Sequence, residues 1–201
     1  MHDSILVETF KKWTSGLLSR EARVSVFNHI RDIPYAIVPE LNTPATGPVG
    51  LLTQNRGSCN PKHFLLKMFF EKLNLPVWYV TYPFQWHEFP LKYPDEIRKL
   101  AALLPPGHHL ACKALIEGRW IVVDATWDLP LQKAGFPVEG AWDGIRDTQI
   151  AVKPLGEILH ETLEERLTFL SEQRKSWSEK NVSCYDKFIP KFNRWLEELR
   201  S

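Results

Sequence analysis

The chain has 201 residues, 44% hydrophobic and 24% charged, with a formal net charge of +1. That length and apolar content suffice for one sizeable core, so a single domain over residues 1–201 is expected. The near-neutral balance excludes the basic footprint of a protein whose main partner is nucleic acid or anionic lipid. No run of eighteen apolar residues is present, and the stretch Met1 to Phe10 lacks a basic start and a long apolar segment, so no membrane span or leader is read and a cytoplasmic location is expected.

Residues 3–14 and 19–31 carry the apolar spacing of two short helices, the second opening at Ser19 and presenting Val24, Phe27 and Ile30 on one face. Pro34 to Pro48, with four prolines, reads as a loop that leads toward Cys59. A helix follows that cysteine. Asn60 suits its N-cap, Pro61 its first position, and Phe64, Leu65, Met68, Phe69 and Leu73 recur at helical spacing. Cys59 then stands before a helix mouth, where unpaired N–H groups and the macrodipole favour a thiolate.

Residues 76–84 read as a strand. Between Trp86 and Pro106 a proline-broken insertion with a short helix at 94–104 is expected to border the cleft. Leu110 to Ile116 and Trp120 to Thr126 read as a hairpin joined by Glu117-Gly118. With that two-residue loop, Ile116 faces Arg119 and Asp124 falls opposite Ala111, on the same face as His109 and diagonal to it. Diagonal neighbours lie about 7–8 Å apart at the backbone, a gap that an imidazole and a carboxylate close with one hydrogen bond. His108 points to the other face. The C-terminal third reads as helical, with Leu155, Ile158, Leu159, Leu163, Leu167 and Leu170 on one stripe and a further helix from Tyr185 to Leu199.

Cys59, His109 and Asp124 are the residue types of a thiol nucleophile, its base and an orienting carboxylate. The pattern Gly57-x-Cys59 before an apolar helix, then His109, then Gly118-x-Trp120 through Asp124-Ala-Thr126-Trp127-Asp128, resembles the transglutaminase-like superfamily. His109 and Asp124 are 15 residues apart, with Trp120 eleven after the histidine, as that family prefers. The resemblance covers roughly Gly57 to Asp128 and departs from the pattern at Ala111, where many members carry an aromatic residue. It implies a papain-like α+β fold, a nucleophile helix packed on a small antiparallel sheet and flanked by terminal helices. It also implies acyl transfer or hydrolysis of an amide or ester through a Cys59 thioester. The substrate would be a peptide, a protein or a small amide.

No cofactor or metal is called for, since the triad needs none and no D-x-[DN]-x-[DN]-G calcium loop occurs. For the oxyanion, the Cys59 backbone N–H and the Gln54 side chain are the expected donors, with Asn55 as competitor. Trp86 and Trp127, with Trp142, sit in loops near the proposed cleft, where aromatic side chains can line an acceptor channel or serve as core. His63 reads as a first-turn histidine at the surface, His87 likewise, and Asp128 as a second choice for the orienting carboxylate. Cys112 reads as a small buried hydrophobe and Cys184 as a bystander between two late helices; no disulfide is expected. Two alternatives stand beside the thiol hydrolase: an arylamine N-acetyltransferase-like acyl transferase, and a catalytically silent binding or scaffold module on the same fold.

Overall fold

A computed structural model describes residues 2–89 and 91–201; Met1 and Pro90, the latter inside the expected 86–106 insertion, lie outside the described residues. Helix α1 spans His2–Thr14 and α2 spans Ser19–Asp32, close to their expected bounds. Val26, Phe27 and Ile30 form the buried stripe of α2, while Val24 is only half-buried. The proline-rich segment is less of a loop than its composition suggests. After a 3₁₀ turn at Pro39–Leu41 it forms helix α3, Gly47–Gln54, whose Pro48 sits in the first turn, where its missing N–H costs nothing. Asn55 ends α3 in the left-handed conformation at φ 48°.

Helix α4 spans Cys59–Lys72. Strands β1 (Val77–Phe84), β2 (Gly107–Ile116), β3 (Arg119–Val123) and β4 (Ile158–His160) form an antiparallel sheet in the order β3-β2-β1-β4. The fold class is thus α+β, as expected. The β2–β3 register pairs Ile116 with Arg119 and Cys112 with Val123. That is the register set by the Glu117-Gly118 turn, where both residues have positive φ, 51° and 79°. Strand β2 continues past the end of β3, so residues 107–111 have no strand on that edge. β4 was not expected: residues 158–160 belonged to the helical stripe, and three residues are too few to declare a period of two.

The remaining helices are α5 (Asp95–Ala101), α6 (Leu163–Lys175) and α7 (Glu179–Arg200). α6 starts where Thr162 caps it, its Oγ1 accepting from Glu165 N at 3.2 Å. α7 begins two turns earlier than its apolar stripe suggested, and Cys184 is buried inside it rather than between helices. None of the described helices is long and apolar enough to cross a membrane.

Alternation along the strands produces two cores. Val77, Tyr79, Leu110, Cys112 and Ala114 face one side and pack on α1, α2 and α4 through Phe27, Leu65, Phe69 and Phe70. Val80, Tyr82, Phe84 and Ala111 face the other side, under an aromatic layer of Trp86, Phe89, Tyr93, Trp127, Phe188 and Phe192. Each fully buried phenylalanine in these layers contributes roughly 1.5–3 kcal/mol. This second layer binds α7 over the end of the sheet that carries His109, and it roofs the site described next.

Candidate active site

Cys59 is the first residue of α4, with Ser58 as its N-cap. The expected start was two residues later, at Asn60 and Pro61. Proline at the third helical position still falls among the N–H groups that have no partner in the first turn, so the helix begins before it. Ser58 does not cap with its side chain; its Oγ donates to Asn42 Oδ1 at 2.9 Å. Gly57 turns the chain into this helix beside Tyr35: Gly57 N donates to Pro34 O at 3.1 Å and Ala36 N to Gly57 O at 3.2 Å. A Cβ at Gly57 would meet Leu51 Cδ1 at 2.6 Å and Pro61 Cγ at 2.9 Å, so any other residue forces these side chains or the turn to shift. The Gly57-x-Cys59 spacing is therefore a packing requirement that delivers the thiol to the uncovered edge of β2.

His109 and Asp124 meet as the strand parity requires. His109 Nε2 lies 2.7 Å from Asp124 Oδ2, and both side chains are almost fully buried. The carboxylate accepts two further hydrogen bonds: Oδ2 from Ala151 N at 2.8 Å, and Oδ1 from Thr126 Oγ1 at 2.6 Å. With Nε2 held by Asp124, the other ring nitrogen, Nδ1, is the one left for the Cys59 sulfur, which shares the cavity wall with His109 and whose anion His109 and Leu110 N–H favour.

Charges follow from this geometry. Burial pushes the Cys59 thiol up, but the hydrogen bond and positive charge of His109, then Leu110 N–H and Arg166, outweigh it and lower the pKa from its usual value. Burial pushes His109 down, and Asp124 more than reverses this, raising it to about 10. Asp124 itself falls to about 2, because His109 overcomes the cost of its burial. A thiolate–imidazolium pair is the charge state these groups favour together. Tyr35, packed on Trp127 at 4.3 Å between ring centroids, is held neutral, chiefly by burial and secondly by the Cys59 charge.

Three neighbours escape a reading from residue types alone. His63 is not at the surface; it is fully buried, its Nδ1 bonded to Cys59 O at 2.8 Å. Ala125 N donates to its Nε2 at 3.0 Å, so the proton must sit on Nδ1. Burial lowers its pKa to about 4 and keeps it neutral, a clamp between the nucleophile's carbonyl and the strand end that carries Asp124. Lys62 is fully buried and donates to Arg31 O at 2.9 Å and Thr126 O at 2.7 Å, with its pKa lowered by burial to about 7. Asp128 does not orient His109. Arg200 grips it with Nε at 2.8 Å and Nη2 at 2.6 Å, and its Oδ2 accepts from Tyr35 N, tying α7 to the segment that holds Tyr35.

Cys59 and His109 open into a cavity of about 390 Å³. Trp86 and Trp127, both also buried in the aromatic core, line it with Tyr35, Phe84, Phe89, Tyr93 and Tyr185. Trp127 Nε1 donates to Ala151 O at 2.7 Å, fixing its ring as a wall. Phe89, Tyr93 and Pro106 of the 86–106 segment border the cavity, whereas Trp142 packs in the opposite core against Phe27 and Phe70. His87 is exposed and away from it. Gln54 does not reach the cavity either. It ends α3 on the exposed side, and the left-handed Asn55, also exposed, turns the chain before it enters α4, so neither amide faces the sulfur. Asn60, the residue after the nucleophile, lines the cavity instead. No carboxylate is among the cavity's described lining residues.

No family model matches the chain, and no curated protein matches it. Among solved structures, one from Cytophaga hutchinsonii described as a "putative cysteine protease" aligns with a TM-score of 0.43 and 19% identity, covering 65% of this chain. The aligned part is 39% of that longer protein.

Proposed function

We propose that this chain is a thiol enzyme of transglutaminase-like type on a papain-like core, acting on an amide or ester through a Cys59 thioester. The observation that supports it is a thiol at a helix N-terminus that shares one cavity with His109, whose ring is hydrogen-bonded to a buried Asp124. The Cys59 thiolate attacks the carbonyl carbon, and the C–O π electrons move onto oxygen. Cys59 N–H, unpaired in the first turn of α4, and the Asn60 side-chain amide are the donors for that oxyanion. As the tetrahedral adduct collapses, His109 gives its Nδ1 proton to the departing amine or alkoxide, leaving a thioester. Water or an amine then attacks, His109 takes its proton, and the acid or new amide leaves with the thiolate restored. Asp124 keeps the ring oriented throughout and stays ionised.

The aromatic lining of the cavity favours a second reading within the same chemistry: a small aromatic or apolar acyl group, as an arylamine N-acetyltransferase-like transferase would handle. One experiment serves both. Intact-mass analysis after millisecond mixing with p-nitrophenyl acetate, p-nitrophenyl phenylacetate and acetyl-coenzyme A should find one acyl adduct on Cys59, absent from Cys59→Ser. Acylation by the coenzyme donor alone would select the transferase reading. No adduct from any of them, with Cys59 also inert to a panel of peptide amides, would refute the enzyme reading.

A further inference from the structure

Arg166, on α6, is fully buried, yet no carboxylate among the described residues pairs with it. Its Nη1 donates to Thr81 Oγ1, and its Nη2 to Asn60 Oδ1 and to His108 O, each at 3.3 Å. Its Nε–H has no acceptor, and it is the only buried side-chain polar atom among the described residues left without one. A guanidinium in that condition is costly, and a protein retains one where an anion offsets it. The two residues that its Nη2 holds identify the anion's place: Asn60 follows the nucleophile and His108 precedes its base.

We propose that Arg166 is a second, permanent positive charge of the Cys59 site: a positioning residue that stabilises the thiolate regardless of the protonation of His109 and fixes the Asn60 amide beside the sulfur. This rests on Cys59 being the nucleophile proposed above. The titratable and charged groups around the sulfur agree with the assignment. They are His109 on β2, Tyr35 before α3, Tyr185 on α7 and Arg166 itself; around Arg166 stand Tyr79 of β1, His108 and Cys112 of β2, His160 of β4 and, on its own helix, Glu165 near His160. Of these, the Cys59 sulfur is the group whose negative charge most favours a charged Arg166, against the cost of burial. Holding Asn60 Oδ1 on Nη2 also leaves the Asn60 Nδ2 hydrogens for the cavity, where an oxyanion would form.

The test is the pH profile of Cys59 alkylation by iodoacetamide, read by mass spectrometry, for the wild type and folded Arg166→Met, Arg166→Gln and Arg166→Lys. A unit charge a short distance beyond contact, at an effective dielectric near 20, shifts a pKa by roughly one to two units. The apparent pKa of Cys59 should rise by that much in Arg166→Met and Arg166→Gln, moving the midpoint of the labelling profile up by about one to two pH units, and Arg166→Lys should keep most of the wild-type profile. A purely structural arginine would alter melting temperature and leave the profile where it was, which would overturn the proposal, as would a lysine variant as impaired as methionine. Should the neutral variants not fold, the Arg166 Nε–H resonance of the wild type decides: it should move when methyl methanethiosulfonate caps Cys59, and an unmoved resonance overturns the assignment. An ordinary thiol pKa in the wild type would instead refute the Cys59 nucleophile, and this inference with it.

Discussion

Asp124→Asn isolates the electrostatic contribution of the orienting carboxylate, because it keeps the shape and most hydrogen bonds while removing the charge. Asp124 Oδ2 sits 2.7 Å from His109 Nε2, and both side chains are almost fully buried. At an effective dielectric near 20, two unit charges about 4 Å apart interact by roughly 4 kcal/mol, or about three pKa units. The asparagine carbonyl still accepts from Nε2–H and retains part of this, so a fall of about two to three units is expected. His109, raised to about 10 in the native protein, should then titrate at roughly 7 to 8. The assay is a carbon–proton NMR titration of the histidine Cε1–H resonances, with His109→Gln supplying the assignment. A His109 midpoint within about half a unit of wild type in Asp124→Asn would refute the reasoning, since the Cys59 charge rather than the carboxylate would then be holding the proton on the ring.

Three further outcomes follow from the same contacts. Gly57→Ala, whose Cβ would sit 2.6 Å from Leu51 Cδ1, should cost about 1–3 kcal/mol in urea denaturation and slow Cys59 labelling at pH 6, because relief of the clash displaces the α4 N-terminus. His63→Ala removes the partner of Ala125 N and of Cys59 O and leaves a cavity, so a loss of about 2–4 kcal/mol is expected by the same measurement, with Cys59 labelling also slowed. Stability should depend on pH through buried groups of opposite sign. His63, lowered to about 4, binds its proton less readily folded than unfolded, so stability falls as pH drops from about 6.5 to 4, by up to roughly 3 kcal/mol. His109, raised to about 10, contributes stability that is fully present below about 6.5 and lost as pH rises toward 10, but Lys62, lowered to about 7, and Cys59, also lowered, contribute stability that grows over that range. Urea midpoints should therefore fall as pH drops from about 6.5 to 4 and show no matching alkaline fall below about pH 9.

The centre of this site was legible because the strand period is strict. A two-residue Glu117-Gly118 turn leaves one register, and that register puts His109 and Asp124 on one face, as found. The helix after Cys59 was legible from its apolar spacing, though not its first residue, since Pro61 is as acceptable at the third position as at the first. What was hidden is burial that contradicts residue type. Lys62 and Arg166 are types that ordinarily reach solvent, and His63 sits on a first turn that ordinarily does; only tertiary packing shows that carbonyls of Arg31 and Thr126, or the Cys59 edge, receive them. Gln54 was misplaced because sequence distance to Cys59 ignores the left-handed Asn55, and α3 was missed because Gly47 and Pro48 mark a loop until their first-turn position is known.

Whether Cys59 is ionised in the resting protein is the question on which everything above turns, and the absorbance of the thiolate near 240 nm answers it directly. The difference between wild type and Cys59→Ser, followed downward from pH 9, should persist well below the ordinary thiol pKa of about 8.5, because His109, Leu110 N–H and Arg166 together hold the anion. A difference signal that disappears around pH 8.5 would contradict the thiolate–imidazolium pair and the enzyme built on it.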